Sequence, residues 1–497
     1  MARDTYNTTM KKILKILSVS LFISALLLAA GIFLLDKAGI IPLGIIAHSF
    51  SKYHPLKREK LTPAEAIADT EEFFSTLERI HPDITANIGT DGYSKLKQWT
   101  TGEIQTKTDS NGKISVKDLA YILYYSAAAI GDGHTSLGWT YDLDFHSSKN
   151  HFPPFVVNYD SGKFLISSAM DKYLQGLEIV AVNDVPFANF IRPILARCSG
   201  ETIVFKSSRF TRQQAFWWDF TGLFSNMTTF DLETRDPKGG ITHNTQATIN
   251  ASDYSRLDQP NWIRTGIGLE IYDKKRIGWL SYPSFILSDA EKAELDKDFR
   301  KLRERGVQDL VLDLRGNGGG HSGMGDYILS YLTDKKFNQY STVKIKLSPD
   351  YLKQYPQYKN ICAQLGTTVS RKQREKDYPK PSWFFNGKTW LLVDNGTFSS
   401  AADFTATFRD YKLDKIIGYE TGGLGISFGN IHFSKLTKSG IPYSVSYCQY
   451  FPAKPRPGDD KHGIIPDVPL SDKLLRPYEG GVQAFILDMI QKERKAY

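Results

Sequence analysis

The chain has 497 residues, enough for two or three domains and a substantial buried core. Hydrophobic residues make up 41% and charged residues 23%, which is ordinary for a globular protein and excludes a disordered chain. The formal net charge is +8, but no dense basic run interleaved with aromatics appears, so no nucleic-acid partner is read from it. Cys198, Cys362 and Cys448 lie far apart without CxxC spacing, which excludes a cysteine-rich zinc module and gives no disulfide framework.

Arg3, Lys11, Lys12 and Lys15 fall in a polar N-terminus, residues 1–15. Residues 16–35 follow without a charge, about one bilayer crossing as a helix. They are long for a signal-peptide core, and the flanking lysines and arginine favour the cytoplasmic side for residues 1–15. The expectation is a transmembrane signal-anchor that gives a membrane partner through this helix. It leaves the rest of the chain extracytoplasmic at the cell membrane, or secreted if the segment is cleaved. Residues 36–61, interrupted by Pro42, Gly44 and Pro55, read as a linker.

A helical region is expected over 62–145. Thr62, Pro63 and Glu65 form a helix start with a capping box, and Phe73, Phe74, Leu77 and Ile80 give an apolar stripe that ends near His81-Pro82. A second helix is predicted over 116–130. It runs into Gly131-Asp132-Gly133-His134, where two glycines around an aspartate favour a turn. A histidine presented by such a turn is a candidate general base.

Residues 152–250 read as strands at 152–158, 163–168 and 176–184, then a helix over 186–196. The run Gly176-Leu177-Glu178-Ile179-Val180-Ala181-Val182-Asn183 resembles the core of a PDZ domain, a module that accepts an extended peptide as an added strand.

Residues 262–475 are read as the core, and from Lys275 the pattern alternates. Strands are predicted at 276–281, 309–314, 390–393 and 415–418, with helices at 288–305, 323–332 and through Phe408. That alternation predicts an α/β core with parallel pairing. Residues 345–385, charged and rich in Tyr and Pro, suit a lid beside the site. Residues 476–497 are read as a C-terminal helix.

The stretch Trp390 to Asp410 organises this core. An apolar strand, an Asp394-Asn395-Gly396 turn and a helix leave Ser399 and Ser400 at a helix N-terminus, where unpaired N–H groups and the dipole favour a nucleophile and its oxyanion. Serine is also a favoured cap, so capping is the competing role. Upstream, Gly316-Asn317-Gly318-Gly319-Gly320 lacks the Gly-Lys-Ser/Thr end of a phosphate loop, and its consecutive glycines can expose N–H groups to an oxyanion instead.

Val-Leu-Asp-Leu-Arg-Gly-Asn-Gly-Gly-Gly at 311–320 and Asn-Gly-Thr-Phe-Ser-Ser-Ala-Ala-Asp at 395–403 together resemble the C-terminal processing (tail-specific) peptidases and the related tricorn core protease. Asp410 and Gly418-Tyr419-Glu420-Thr421-Gly422-Gly423 also match that pattern. The resemblance implies Ser399 as nucleophile, with the N–H groups of Ser400 and of Gly318 or Gly319 as oxyanion donors. It also implies a ClpP/crotonase-like α/β peptidase core carrying a PDZ-like insertion, an α+β multidomain chain. Residues 416–434 contain no lysine, which departs from the Ser-Lys branch and favours the tricorn-like Ser-His-acid branch, with His134 as base. Gly463 and Pro466-Asp467 align with the family's Glu-Gly-x-Gly-Ile-x-Pro-Asp segment and put Asp460 on the glutamate, with Asp459 as alternative.

The implied function is a membrane-anchored extracytoplasmic serine endopeptidase acting on unfolded or C-terminal polypeptide segments, with polypeptide as substrate and no metal or cofactor required. The alternative is a non-catalytic peptide- or lipid-binding protein on the same fold.

Overall fold

The structure is a computed structural model and describes residues 58–138, 151–160, 162–212, 220–257, 267–356 and 364–495. Three helices open it: α1 (Pro63–Ile80), α2 (Thr90–Thr106) and α3 (Val116–Ala129). The capping box at Thr62 forms as its residues dictate: Glu65 N–H donates to Thr62 Oγ1 at 3.2 Å, and Thr62 N–H donates to Glu65 Oε2 at 2.9 Å. After α3 comes the short strand β1 (Ser136–Leu137).

An inserted antiparallel sheet follows, built from β2 (Phe155–Asp160), β3 (Lys163–Ala169), β4 (Glu178–Val182), β5 (Thr229–Arg235) and β6 (Ile241–Ala247) in that spatial order. Between β4 and β5 runs helix α4 (Ile203–Arg212). The core of this unit is a phenylalanine cluster that includes Phe155, Phe187, Phe220, Phe224 and Phe230.

The central sheet has the order β7-β8-β9-β12-β13-β16. Its strands are β7 (Gly268–Tyr272), β8 (Ile277–Ser281), β9 (Asp309–Asp313), β12 (Lys388–Val393), β13 (Lys415–Gly418) and β16 (Val468–Pro469). Strand β7 is an antiparallel edge, and the other neighbours pair in parallel. The crossovers are helices: α5 (Asp289–Glu304) after β8, α6 (Ser322–Leu332) after β9 and α7 (Ser400–Tyr411) after β12. Strand side chains alternate between two covered faces. Leu280, Leu310, Leu312, Leu391 and Val393 join the core under α5–α7, while Trp279, Val311, Trp390 and Leu392 join the core under α8 (Gly481–Lys495). Burial on both faces is why these strands read as continuous apolar runs.

A second, antiparallel sheet corrects one expectation. Residues 345–385 were expected to suit a lid, but their described parts, 345–356 and 364–385, are built into a sheet and a core. They supply β11 (Thr368–Lys372), which pairs with β10 (Tyr340–Lys346) in a sheet of order β11-β10-β15-β14, with β14 (Ser427–Lys435), β15 (Pro442–Pro452) and β1 pairing β15. Tyr351 and Leu352 are buried in the core shared with α1–α3, so apolar packing holds this segment down.

The single-pass membrane localisation is also corrected. Among the described residues no helix is long and apolar enough to cross a membrane. The apolar helix α3 has 14 residues, short of the roughly 20 a crossing needs. The segment 16–35 lies outside the described residues.

Candidate active site

Strand β12 ends at Val393, and the next six residues are stitched to the glycine loop after β9. Asp394 Oδ1 accepts the N–H groups of Gly396 at 2.9 Å and Gly316 at 2.8 Å. Thr397 Oγ1 donates to Leu314 O at 2.9 Å, and Phe398 N–H donates to Asn317 O at 2.9 Å. The turn therefore delivers Ser399 to the start of α7 with φ 52° and ψ −133°. A non-glycine residue held at positive φ is strained, and the surrounding bonds hold it there. A serine on a sharp strand-to-helix turn is the geometry of a nucleophile elbow. The hydroxyl does not cap the helix. It lies 3.0 Å from His134 Nε2, a residue 265 positions away in the chain.

His134 is brought there by the turn after α3, as its Gly-Asp-Gly frame suggests. Its side chain is 11% exposed. The ring stacks on Phe398, the residue before the serine, with centroids 4.8 Å apart. Its far nitrogen, Nδ1, is buried without a hydrogen bond among the described residues, and the carboxylate beside it is Asp132, with Oδ1 at 3.8 Å. Asp132 is fully buried. Its Oδ1 accepts the His134 backbone N–H at 2.8 Å; its Oδ2 accepts hydroxyls from Thr135 at 2.5 Å and Ser446 at 2.7 Å. Burial alone would raise this carboxyl, but contacts from His134 and His81 outweigh it and hold it well below the usual aspartate range.

Ser399 and His134 are thus brought together, and Asp460 is not brought to them. Asp460 is exposed, and no contact joins it to His134 among the described residues. Its neighbour Asp459 is buried but gripped by Arg409 through two bonds of 2.6 and 3.1 Å, a structural pair. Position in the motif pointed to these two aspartates; the fold turns one into solvent and commits the other to an arginine. The carboxylate beside the His134 ring is Asp132, which the sequence did not single out. The available signal was its spacing, two residues before the histidine, which lets one carboxylate bond the histidine's backbone and face its ring.

Of the two glycines expected to donate to an oxyanion, Gly319 is otherwise engaged: its N–H donates to Asn317 Oδ1 at 2.8 Å. Its role is close approach. It has φ +97°, and a side chain there would meet Ser399 Cβ at 2.6 Å. The Gly318 N–H has no bond among the described residues, and Ser400 opens α7, where the first N–H groups lack intrahelical partners. The Ser400 hydroxyl is turned away and donates to Gly320 O at 3.0 Å.

The inserted unit also reaches the site, which no local pattern announced. Gly133 N–H donates to Glu201 Oε1 at 3.1 Å, and Gly133 O accepts from Arg209 Nη1 at 2.7 Å. Phe205 of α4 stacks on Phe398 at 3.9 Å. Burial, with the nearby Asp132 charge, pushes the Glu201 carboxyl up to about 7. Between about pH 4.5 and 7 the folded chain keeps a proton that the unfolded chain releases, so stability falls as pH rises through that window. Glu201→Gln is expected to remove this slope, which denaturant melts at pH 5 and pH 8 would read. An unchanged slope would assign the titration elsewhere.

Residues 276–470 match peptidase family S41. No curated protein sequence matches the chain. Among solved structures, mature CPAF superposes with a TM-score of 0.59 at 15% identity, covering 86% of this chain and 97% of that one. CPAF complexed with lactacystin gives 0.56 at 15% identity, over 86% and 98%. The photosystem II D1 C-terminal processing protease gives 0.42 at 15% identity, over 84% and 96%. At these identities the CPAF likeness is one of fold.

Proposed function

We propose, from the match of residues 276–470 to peptidase family S41, that the chain is a serine endopeptidase working through an acyl-enzyme, with Ser399 as nucleophile, His134 as general base and Asp132 as the acid that positions it. The observation that carries this reading is the 3.0 Å contact between His134 Nε2 and Ser399 Oγ. That distance lets the imidazole take the hydroxyl proton as Oγ attacks a peptide carbonyl. The negative charge that develops on the carbonyl oxygen meets the N–H groups of Ser400 and Gly318 at the positive end of α7. His134 then gives its proton to the departing amine, leaving an ester on Ser399. A water, deprotonated by the same imidazole, hydrolyses that ester. Asp132, kept ionised by its donors, stabilises the imidazolium in both halves of the cycle.

The substrate is polypeptide. A preference for unfolded or C-terminal segments is carried by the resemblance of the 311–320 and 395–403 motifs to the tail-specific peptidases.

The test is modification of the purified protein by a fluorophosphonate probe, with the labelled residue mapped. Labelling at Ser399 that disappears in His134→Ala is the expected result. A folded protein that is not labelled would overturn the reading and leave the non-catalytic binding protein.

A further inference from the structure

We infer that His81 is a positioning residue for the active site, acting on His134 through Asp132; the inference rests on the Ser399–His134 reading above. His81 ends α1, 53 residues before His134 in the chain, and is 3% exposed. Nothing in the proposed cycle uses it, yet its backbone and ring are held by three contacts. Its backbone N–H closes the helix on Leu77 O at 2.8 Å. The ring packs against Phe428 of β14 with centroids 4.6 Å apart. Its Nδ1 accepts the backbone N–H of Asp83 at 3.2 Å.

That last bond decides the tautomer. A nitrogen that accepts cannot carry the proton of a neutral imidazole, so the proton sits on Nε2. Nε2 is buried, has no well-aligned hydrogen-bond partner among the described residues, and lies 3.3 Å from Asp132 Oδ2. A buried N–H is costly unless it meets an acceptor, and the polar atom beside this one is a carboxylate oxygen of Asp132.

Asp132 therefore sits between two imidazoles. His81 Nε2 is on the Oδ2 side at 3.3 Å, and His134 Nδ1 is on the Oδ1 side at 3.8 Å. Three groups converge on Oδ2: the hydroxyls of Thr135 and Ser446 and the His81 ring. They come from the catalytic turn, from β15 and from the end of α1. With Oδ2 held on three sides, Oδ1 is left facing the catalytic imidazole. A neutral donor suits this task. It orients the carboxylate and disperses its charge without neutralising it, so Asp132 can still answer an imidazolium on the other side. Lysine or arginine in its place would cancel the charge that His134 needs.

The inference separates two substitutions of one residue. His81→Phe keeps the ring volume and the packing on Phe428 but removes the donor. His81→Gln keeps an N–H donor in place of Nε2. The readout is the second-order rate of fluorophosphonate labelling at Ser399, with kcat and KM for a denatured, fluorescently labelled casein. His81→Phe is expected to lower the labelling rate and kcat by about tenfold or more, with KM little changed, and His81→Gln to restore most of the loss. In an Asp132→Asn background, His81→Phe is expected to do nothing further, because the path through Asp132 is already broken.

Equal rates for His81→Phe and the unmodified protein would overturn the inference. So would a His81→Phe loss that persists in full on top of Asp132→Asn. Should His81→Phe not fold by near-ultraviolet circular dichroism, His81→Leu takes its place. If neither folds, His81 is a structural residue and the inference falls. Absence of labelling at Ser399 in the unmodified protein would instead sink the reading beneath it, so the two failures are distinct.

Discussion

Ser399→Ala is expected to abolish turnover, by about a million-fold in kcat, while leaving the melting temperature nearly unchanged. Both halves follow from the geometry of the turn. The hydroxyl is the group facing His134 Nε2 at 3.0 Å, so its loss removes the nucleophile itself. It does not cap α7, so its loss leaves no helix N–H newly orphaned. Ser400 cannot take over, because its hydroxyl is spent on Gly320 O. Rates with a denatured polypeptide and a thermal melt check both halves. Retained turnover would move the nucleophile away from Ser399.

Asp132→Asn should cost about 10⁴-fold in kcat, while Asp460→Ala should leave kcat within about twofold. The contrast decides between the motif-based acid and the one beside the ring. An asparagine at 132 puts an amide where a charge stabilises imidazolium, and its N–H₂ must face either the His134 ring or the hydroxyls of Thr135 and Ser446. Each orientation sets donor against donor, the His134 backbone N–H on one side and the His81 Nε2–H on the other. A stability effect accompanies the kinetic one. The Asp132 carboxyl lies well below the ordinary aspartate range when folded, so it contributes stability above that range, and this is lost as pH falls through the folded value. Asp132→Asn should therefore flatten the acid side of the stability profile. Equal losses for both substitutions, or a larger one for Asp460→Ala, would return the acid to the motif.

The parts of this molecule that were legible in the sequence are those written in local pattern. Strands at Leu310 and Leu391 announce themselves because both faces of the central sheet are covered, and apolar runs are what such strands require. Ser399 and His134 stand out because turn chemistry flanks each of them. Asp132 was hidden by that same chemistry: an aspartate between two glycines is sufficiently explained as a turn residue. His81 was hidden by its role in ending a helix before proline. Glu201, Phe205 and Arg209 were illegible for another reason. Their meaning lies in contacts with Gly133 and Phe398, which are created by docking of the inserted unit and leave no periodicity behind. Asp459 and Asp460 lie away from the His134 ring for a different reason, since alignment to a motif fixes position along the chain but not the direction a side chain faces.

The separation of His134 from Ser399 has a consequence for how the protein comes into being. The base is synthesised 265 residues before the nucleophile. At a synthesis rate of about 5–20 residues per second, that gap lasts roughly 10–50 seconds on the ribosome. During it the emerging chain carries Asp132 and His134, later joined by Glu201, Phe205 and Arg209 of the inserted unit, but not Ser399. Cutting power arrives only when the core around β12 has been made and has closed on the earlier half. A chain truncated before residue 399 lacks the proposed nucleophile altogether, so this order withholds cutting power from the shorter unfinished products.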